Sequence, residues 1–433
     1  MHRHLTSSVK VLLPHITLTE RKNPMRLKTI TKLLDLPNFQ VKSVIKQTDN
    51  SIHLNIDLIK TSAPVCSACG GVHPIATHSI SRVIVEDLPL CGKRTFLYLP
   101  KRKTTCPIDG KIRVEKFSWL RGRFTARFAE QVYRLTSITT NAEAGWYLGL
   151  DDETVYRIDR SMLEELAKEK LSPVPTPSAM SVDEVAWQKW HKYVTNVVDI
   201  ETRKVIWNHN GRGKNTLNAF FKDLGKENSL KIDAVACDGA RGFLSSIRQN
   251  AKNALIVLDH FHVKSYLNDA LDTVRKEQLR KAKQDENADL ANLLHCRKKF
   301  ILMQGKSSKR QQNVLDKLAN LNDTVYRSML LKEQFLEVYR ATSRKKAQVG
   351  LRQWISAALA SKIIPFHELA MKFFRKRHFI LNYFHQRITS AISEGINNKI
   401  KRLKRMAYGY KDVSYFLLKI HQHCGLLSPR LST

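Results

Sequence analysis

A proline-rich segment, SPVPTPS (172–178), marks a linker. After it, the spacing of hydrophobic residues changes repeatedly between the two-residue period of strands and the 3.6-residue period of helices. Apolar and polar positions alternate in AMSVDEVAW, KYVTNVVDI and KVIWNH, which predicts three strands, the last two forming a hairpin at Glu201–Arg203. Helical spacing in NTLNAFFKDLGKE and ARGFLSSIRQNA then separates two more predicted strands, KIDAVACD and ALIVLD. Residues 179–263 are therefore predicted to form a three-strand meander followed by alternating helices and strands.

The rest of the C-terminal half is predicted to be helical. Residues 264–385 are rich in Lys, Arg and Leu and are broken at Gly305–Lys309. A late helix within 386–433 carries an apolar stripe at three- and four-residue spacing, formed by Ile388, Ile392, Ile396, Ile400, Leu403 and Ala407. This order of elements is the layout of a ribonuclease-H-like α/β catalytic domain with an α-helical insertion.

The N-terminal segment, residues 1–60, is predicted to contain short strands, because FQVKSV and SIHLNIDLI alternate weakly. Residues 1–24 are basic and look poorly structured. We therefore expect Met25 to be the working start of the protein.

Residues 61–118 are predicted to form a zinc-ribbon-like β domain. Cys66-Ser-Ala-Cys69 and Cys106-Pro-Ile-Asp109 flank two predicted strands joined by a turn at residues 90–92. Two such knuckles beside a β-hairpin are how small zinc domains are built. Alternatives are a metal-free knuckle and a redox-active Cys-x-x-Cys.

Residues 119–171 are predicted to form a helix-turn-helix domain. The short link Leu148–Asp151 joins two amphipathic stretches, and Asp151 or Asp152 can cap the second helix. The side chains expected near its groove-facing side are Thr154, Arg157 and Arg160. An ordinary helical hairpin is the alternative.

The charge of the chain points to a polyanionic partner. It has 73 Lys and Arg against 39 Asp and Glu, a net charge of +34 with an isoelectric point near 10.0, and a normal 42% of hydrophobic residues. Nucleic acid is the most frequent partner of such a folded basic chain, and a membrane surface is the rival. No apolar run approaches the 18 residues that a membrane span needs.

Seven unevenly spaced cysteines favour a reducing, cytoplasmic compartment over a secreted one.

Three acidic residues are predicted to form a functional site. Asp183 lies in the first strand of the meander and Asp238 ends the fourth strand, so both are expected at the edge where strand carboxyl ends converge. Glu394 is the only acid from Leu369 to Lys411, a stretch with eleven Lys or Arg. At 100° per residue it falls nearly opposite the apolar stripe, on a face shared with Asn398, Lys401 and Arg405. A single surface Glu on a solvated face is the alternative.

Carboxylates gathered in this way predict a magnesium site, because Mg²⁺ prefers oxygen ligands and tolerates phosphate oxygens in its shell. Two such ions roughly 3.5–4 Å apart can activate an attacking water and stabilise a leaving oxygen, which is phosphodiester chemistry. The residues expected to hold backbone phosphates on the late helix are Asn398, Lys399, Lys401, Arg402, Lys404 and Arg405.

Asp259-His-Phe-His262 follows the fifth predicted strand and is expected close to these acids. Its D-x-x-H spacing suggests packing, hydrogen bonding or positioning of the site. Zinc binding by Asp259, His260 and His262 is a less favoured alternative.

The segments SVDEVAW, VACDGARGFLSSI, ALIVLDHFHVKSYL and SEGINNKIKRLKRMAYGYKDVSYFLLKI resemble the bacterial insertion-sequence transposases of the ISL-three family. The order of the N-terminal domains is similar too. The resemblance implies a DDE transposase whose catalytic acids are Asp183, Asp238 and Glu394, supported by Asp259 and His262. It also implies that the N-terminal domains bind terminal inverted repeats in double-stranded DNA, with a homo-oligomer assembling on it.

One departure from the family concerns zinc. Its second knuckle usually closes with a cysteine, whereas Cys106 is followed here by Asp109. We expect zinc on Cys66, Cys69, Cys106 and Asp109. Carboxylate oxygen suits zinc less well than thiolate does. His73, His78 or Cys91 are alternative fourth ligands.

The sequence therefore predicts an enzyme with two Mg²⁺ ions that cleaves DNA at the element ends and joins the freed 3′-hydroxyl to target DNA. Two rivals remain: a non-catalytic DNA-binding regulator that uses only the N-terminal domains, and a nuclease or resolvase without strand transfer.

Overall fold

The computed structural model of the chain describes residues 24–59, 63–72, 78–188, 190, 192–296, 298–302, 309–385, 388 and 391–429. The chain divides into two compact units, Met1–Met162 and Leu163–Thr433. This division falls ten residues before the predicted linker at 172–178. The structure does not test whether Met25 is the working start of the protein. The residues before Pro24, which were expected to be poorly structured, lie outside the described residues.

The first unit is built on a seven-stranded sheet with the strand order β1-β2-β4-β3-β7-β6, and β5 pairs with β4. Its elements are α1 (Pro24–Leu34), β1 (Phe39–Gln47), β2 (Ser51–Leu58), β3 (Ser79–Leu90), β4 (Lys93–Thr105), β5 (Ile112–Val114), β6 (Leu120–Arg121), β7 (Phe124–Thr125), α2 (Ala126–Thr136), α3 (Asn141–Leu148) and α4 (Asp152–Lys170), whose last residues belong to the second unit.

Residues 24–34 form a helix where the sequence pattern predicted short strands. Leu27, Ile30 and Leu34 recur at helical spacing and pack on the sheet core beside Phe39. The prediction of strands missed the apolar face of α1, because the residues that follow α1 alternate as strands do and this alternation dominates the pattern up to residue 60. The sheet is also continuous across the predicted boundary at residue 60, since β2 pairs in parallel with β4. The N-terminal strands and the hairpin between the two knuckles therefore share one core.

The second unit is built on a five-stranded sheet with the order β10-β9-β8-β11-β12. Its elements are β8 (Ala179–Gln188), β9 (Lys192–Asp199), β10 (Lys204–Asn210), α5 (Lys214–Leu224), α6 (Lys226–Ser229), β11 (Ala234–Cys237), α7 (Arg241–Asn250), β12 (Leu255–Leu258), α8 (His260–Gln284), α9 (Ala288–Cys296), α10 (Lys298–Leu302), α11 (Lys309–Leu321), α12 (Asp323–Arg340), α13 (Arg344–Ala360), α14 (Ile364–Arg375), α15 (Arg377–Asn382), α16 (Ala391–Met406) and α17 (Val413–Cys424). The predicted element order over 179–263 is confirmed, with the short helix α6 added.

The first three strands form an antiparallel meander, and β11 and β12 run parallel to β8. One face of the sheet packs on α5 and α7 through residues such as Val182 and Phe220. The other face packs on α16 and α17 through residues such as Val185 and Phe416. The helices from α8 to α15 surround a core of their own that includes Trp354. None of the helices in the described residues combines the length and apolar composition needed to cross a bilayer.

A tight turn joins α3 to α4 in the first unit. Gly149 ends α3 in a left-handed conformation with φ 69°. The Asp151 carboxylate accepts a hydrogen bond of 2.7 Å from the amide of Thr154, so Asp151 caps α4, one of the two capping residues expected. Gly145 makes this turn possible by its size, because a Cβ there would lie 2.7 Å from the carbonyl oxygen of Leu150.

We expect Gly145→Ala to open this turn, since the contact is with backbone that cannot rotate away; overpacking of this kind costs about 1–3 kcal/mol. Hydrogen exchange of the amides in α3 and α4 should accelerate, and the thermal unfolding midpoint should fall. The matched control is Gly350→Ala in α13, where a Cβ meets only a Val338 methyl at 3.5 Å. Similar protection of α3 and α4 in the two variants would contradict the prediction.

Candidate functional site

The parallel strands of the second unit bring three aspartates into a row. The register between β8 and β11 pairs Ala236 with Ser181 and, continued by two residues, sets Asp238 beside Asp183. The register between β11 and β12, continued by one residue, sets Asp259 beside Asp238. Neighbouring strands lie about 4.8 Å apart, so the three acids form a row across β8, β11 and β12. Asp238 and Asp259 directly follow their strands, whereas Asp183 lies within β8.

His262 lies among these acids. Asp259 caps α8 by accepting a hydrogen bond of 2.7 Å from the amide of Phe261, and this cap places His262 in the first turn. Its Nε2 is 3.6 Å from Asp259 Oδ2 and 3.8 Å from Asp183 Oδ1. Burial lowers the pKa of His262, but the contact with Asp183 and the charges of Asp259, Asp183 and Asp238 outweigh burial, so its pKa is raised. The acids around the imidazole therefore favour its protonated form, and its Nε2 lies between the carboxylates of Asp183 and Asp259.

Each aspartate also has backbone partners that fix its orientation. The amide of Glu184 donates to Asp183 Oδ1 at 2.7 Å, and the amide of Ala240 donates to Asp238 Oδ1 at 2.8 Å. Burial, followed by the charges of Asp238 and Asp183, raises the pKa of the Glu184 carboxyl. Glu184 is thus a fourth acid close to the row.

The structure adds two asparagines that sequence reasoning did not single out. The side-chain amide of Asn397 on α16 donates a hydrogen bond to Asp183 Oδ2. Asn196 is the β9 partner of Asp183, and its buried amide nitrogen and oxygen have no hydrogen-bond partner among the described residues. Asn397 lies within the NNK motif three residues after Glu394, and this spacing is the one signal that would have suggested it.

Helix α16 runs along β8 in the same direction. Ser393 bonds to Ser181, Asn397 bonds to Asp183, and farther along Lys404 Nζ donates to the carbonyl of Ala186 at 2.9 Å. The predicted apolar stripe is confirmed at the buried residues Ile396, Ile400 and Leu403. Ile388 and Ala407, its predicted ends, lie outside α16. This packing sets the helix in register with the strand that carries Asp183.

Glu394 is half-buried in the first turn of α16, next to the buried Ser393. The carboxylates of Asp183, Asp238 and Glu394 are not gathered tightly. In the part of the chain that the structure describes, three metal-ligating side chains come within 4.8 Å of one another only at Cys66, Cys69 and Cys106. The sheet register brings Asp238 to Asp183, and α16 brings the segment around Glu394 to the same strand.

The polar face of α16 is cationic and solvated. Most of the residues predicted there to hold phosphates are exposed, namely Asn398, Lys399, Lys401, Arg402 and Arg405. Lys404 is half-buried because of its bond to β8. The helix therefore presents a row of unshielded positive charges beside the acids.

The predicted groove-facing residues of the first unit make contacts along α4. Thr154 Oγ1 donates to Asp151 at 2.8 Å, and Arg157 donates to Thr154 Oγ1 at 3.1 Å while remaining exposed. Arg160 donates to the hydroxyl of Tyr156 at 2.6 Å and lies over its ring. Of the three, Arg157 is the one exposed to solvent.

The two knuckles of the first unit place three cysteines together. The sulfurs of Cys66, Cys69 and Cys106 lie within 4.8 Å of one another, with Cys66 and Cys106 buried and Cys69 exposed. Backbone amides of Cys69 and Ala68 lower the pKa of Cys66, which favours its thiolate form. Among the alternative fourth ligands, His78 and Cys91 lie outside this cluster, and His73 lies outside the described residues.

The two knuckles share one hydrogen-bonding pattern. The first residue of each, Cys66 or Cys106, donates its amide to the carbonyl five residues later at 2.9 Å. The amide of Gly71 donates to the Cys69 sulfur at 3.4 Å, and that of Lys111 donates to the Asp109 carboxylate at 3.0 Å. Asp109 therefore occupies in the second knuckle the place that Cys69 has in the first.

Asp109 differs from Cys69 in having a cationic neighbour. Its carboxylate forms an ion pair with Arg113, and this contact, with the amide of Lys111, lowers the pKa of Asp109. The lowered pKa favours the ionised carboxylate, and Asp109, like His78 and Cys91, lies outside the group of three sulfurs within 4.8 Å of one another.

We expect His262 to titrate above the ordinary histidine pKa of 6.5 in metal-free protein. His260 is the control on the same turn, since burial, followed by Lys264, lowers its pKa to about 4. Because the folded pKa of His262 is raised, its contribution to stability is complete below about pH 6.5 and is lost as the pH rises through the folded value. Histidine-selective NMR titration measures both rings.

In the same experiment, Asp259→Asn should lower the pKa of His262 and leave His260 neutral. A wild-type His262 that titrates below 6.5 would contradict the arrangement of acids around it.

Comparison with known proteins agrees with the resemblance in the sequence. Residues 180–420 match a family model of ISL3-type proteins described as transposase, and residues 62–108 match the zinc-finger of transposase IS204/IS1001/IS1096/IS1165. The chain is 31% identical over 372 residues to the transposase for insertion sequence element IS1001 of Bordetella parapertussis, which covers 84% of this chain and 89% of that protein. It is 27% identical over 253 residues to the transposase for insertion sequence element IS1557 of Mycobacterium tuberculosis, covering 54% and 57%. The chain therefore belongs to the ISL3 family of insertion-sequence transposases.

Proposed function

We propose that this transposase cuts and joins DNA through a ribonuclease-H-like site in which Asp183, Asp238 and Glu394 hold two Mg²⁺ ions. The observation that carries the proposal is the junction of β8, β11 and α16. The strand register sets Asp238 beside Asp183, and Asn397, three residues from Glu394, bonds to Asp183. The strand order β10-β9-β8-β11-β12, with an antiparallel meander and two parallel strands, supports the fold assignment.

The residues present suit magnesium. The donors are carboxylate oxygens, which Mg²⁺ prefers, and the buried amide of Asn196 beside Asp183 offers a further polar group to a hydrated ion. When bound, paired Mg²⁺ ions supply activation of the attacking oxygen and stabilisation of the leaving oxygen.

The protein's own residues orient the acids. Asn397 and the amide of Glu184 fix the two oxygens of Asp183. His262 lies between Asp183 and Asp259, with its Nε2 3.8 Å and 3.6 Å from their oxygens, and so restricts the positions of both carboxylates. A water first hydrolyses the phosphodiester at the element end and leaves a 3′-hydroxyl. That hydroxyl then attacks a phosphodiester of target DNA, the bond to the target strand's 3′ oxygen breaks and releases a target 3′-hydroxyl, and the protein forms no covalent bond with DNA.

DNA would be held by both units. In the first, α3, the Gly149 turn and α4 would act as a helix-turn-helix with the exposed Arg157 toward the DNA groove. In the second, the exposed cations of α16 would hold phosphates, so that binding falls with salt at a slope of about −0.9 per contact on a log–log plot.

Zinc fits the three-cysteine cluster, because thiolates are its preferred ligands and three sulfurs are already gathered. We propose Asp109 as the fourth ligand on the strength of its equivalence to Cys69. Zinc would tie the loop before β3 to the loop after β4 and so stabilise the fold of this hairpin.

We expect purified protein to contain zinc and Cys106→Ser to lose it. The matched control is Cys91→Ser, which removes an exposed thiol outside the cluster. Asp109→Cys should retain zinc longer against a chelator, since thiolate binds zinc better than carboxylate does. Metal analysis and chelator-release kinetics measure these effects, and wild-type protein without zinc would overturn the assignment.

We expect Asp183→Asn, Asp238→Asn and Glu394→Gln each to abolish metal-dependent nicking and strand transfer while DNA binding persists. The matched control is Asp233→Asn, which changes an exposed acid at the opposite end of the strand that leads to Asp238. Gel assays with Mg²⁺ on DNA carrying the element ends resolve nicked and joined products. Cleavage by Asp183→Asn at the wild-type rate would refute the site, and nicking without joined products would leave a nuclease.

A further inference from the structure

Two aromatic side chains of the second unit are presented to solvent without a role in the proposed chemistry. Trp190, at the tip of the β8–β9 hairpin, is 89% exposed, and Tyr408, after α16, is 102% exposed. Both have left-handed backbone conformations, with φ 64° and 50°. Bulky residues seldom adopt this conformation, and folding gains little from an exposed ring. Tyr408 also belongs to the AYGY motif, which the carboxylate site does not use.

A hydrogen bond joins the two segments that carry these rings. Gln188 Nε2 donates to the carbonyl of Tyr410 at 3.0 Å, and Trp190 and Tyr408 each lie two residues from this bond. The bases of the hairpin and of the loop pack on one side chain, Phe416. Its ring centroid is 6.5 Å from that of Trp187 and 4.8 Å from that of Tyr410. The hairpin and the loop after α16 therefore share one buried aromatic contact, Phe416.

The surroundings of the pair are cationic. Lys192 follows the hairpin tip, with its ammonium 5.7 Å from the Trp187 ring, and Arg405 and Lys411 are exposed on either side of Tyr408. The nearby acid, Asp412, accepts hydrogen bonds from the first amides of α17 as its cap. Exposed aromatic rings among cations are the surface that single-stranded nucleic acid recognises, because bases stack on the rings and phosphates meet the charges.

We propose that Trp190 and Tyr408 form a platform that stacks on unpaired bases of a bound DNA strand. The inference rests on the proposed DNA-cleaving site. Trp190 is seven residues beyond Asp183, and β8 ends at Gln188, so at about 3.3 Å per residue the platform lies at most about 23 Å from the acids. At about 3.4 Å per nucleotide along a strand, the unpaired bases would lie within roughly seven nucleotides of the phosphate that is cut.

The test compares two synthetic DNAs of the same sequence, a full duplex and a duplex with a central run of unpaired thymines and one 2-aminopurine. Binding is measured by fluorescence anisotropy without divalent metal, so that cleavage has no part in it. Wild-type protein should bind the unpaired DNA more tightly and quench the 2-aminopurine. Trp190→Ala and Tyr408→Ala should each weaken that binding about 5- to 150-fold, the usual value of a base–aromatic stack, and leave duplex binding unchanged.

Three controls separate stacking from other effects. Trp190→Phe and Tyr408→Phe should keep most of the affinity for unpaired DNA. Ile364→Ala, which removes a 71% exposed apolar side chain at the start of α14, should change nothing. The aromatic variants should keep the wild-type salt slope, whereas Lys401→Ala should lower it by about 0.7–0.9.

Equal losses on duplex and unpaired DNA would overturn the platform. So would a change in sedimentation mass without a change in affinity for unpaired DNA, because the pair would then contact a second copy of the chain. The Asp183→Asn variant should bind unpaired DNA as wild type does, so failure of the carboxylate site appears in cleavage and failure of the platform appears in binding.

Discussion

The docking of α16 on β8 is the interaction on which the second unit depends. Ser393 and Asn397 bond to alternate residues of the strand, Ser181 and Asp183, while Ile396 and Ile400 are buried in the core beneath them. A slip of one residue along the strand would turn Asp183 to the opposite face. The polar bonds therefore select the register, and the apolar stripe supplies the burial that holds it.

The two sides of the contact between α16 and β8 carry opposite charges. The acids form a row across three strands, with His262 between Asp183 and Asp259, whereas the exposed face of α16 carries the cations. An arrangement of this kind suits a phosphate backbone on one side and metal ions on the other. Unneutralised carboxylates would repel that backbone, so the proposed Mg²⁺ ions and the cations of α16 act together.

The first unit contains a hairpin of two long strands, β3 and β4, with the two knuckles at its open end. Burial of Arg102 with Glu115 and the packing of Phe39 with Phe117 join the hairpin to its neighbours. The knuckles repeat one backbone pattern, so Asp109 occupies the same turn position in the second knuckle that Cys69 occupies in the first. The family match over 62–108 and the three-cysteine cluster thus describe the same region.

The sequence by itself determined the order of strands and helices from 179 to 263, the long helical segment, the apolar stripe of α16 and the cationic character of the chain. These follow from local periodicity and composition, which act over a few residues. It missed α1, whose apolar face is short, and it placed a domain boundary inside a continuous sheet, because strand pairing between β2 and β4 has no local signal.

Tertiary structure decided the rest. Asp238 lies beside Asp183 through a strand register, and Asn397 reaches Asp183 across 214 residues of chain. Periodicity states which face of an element is buried but does not state which element covers it or at what register. For the same reason Asn196, Glu184 and the Trp190–Tyr408 pair emerged only once the strands and α16 were placed side by side.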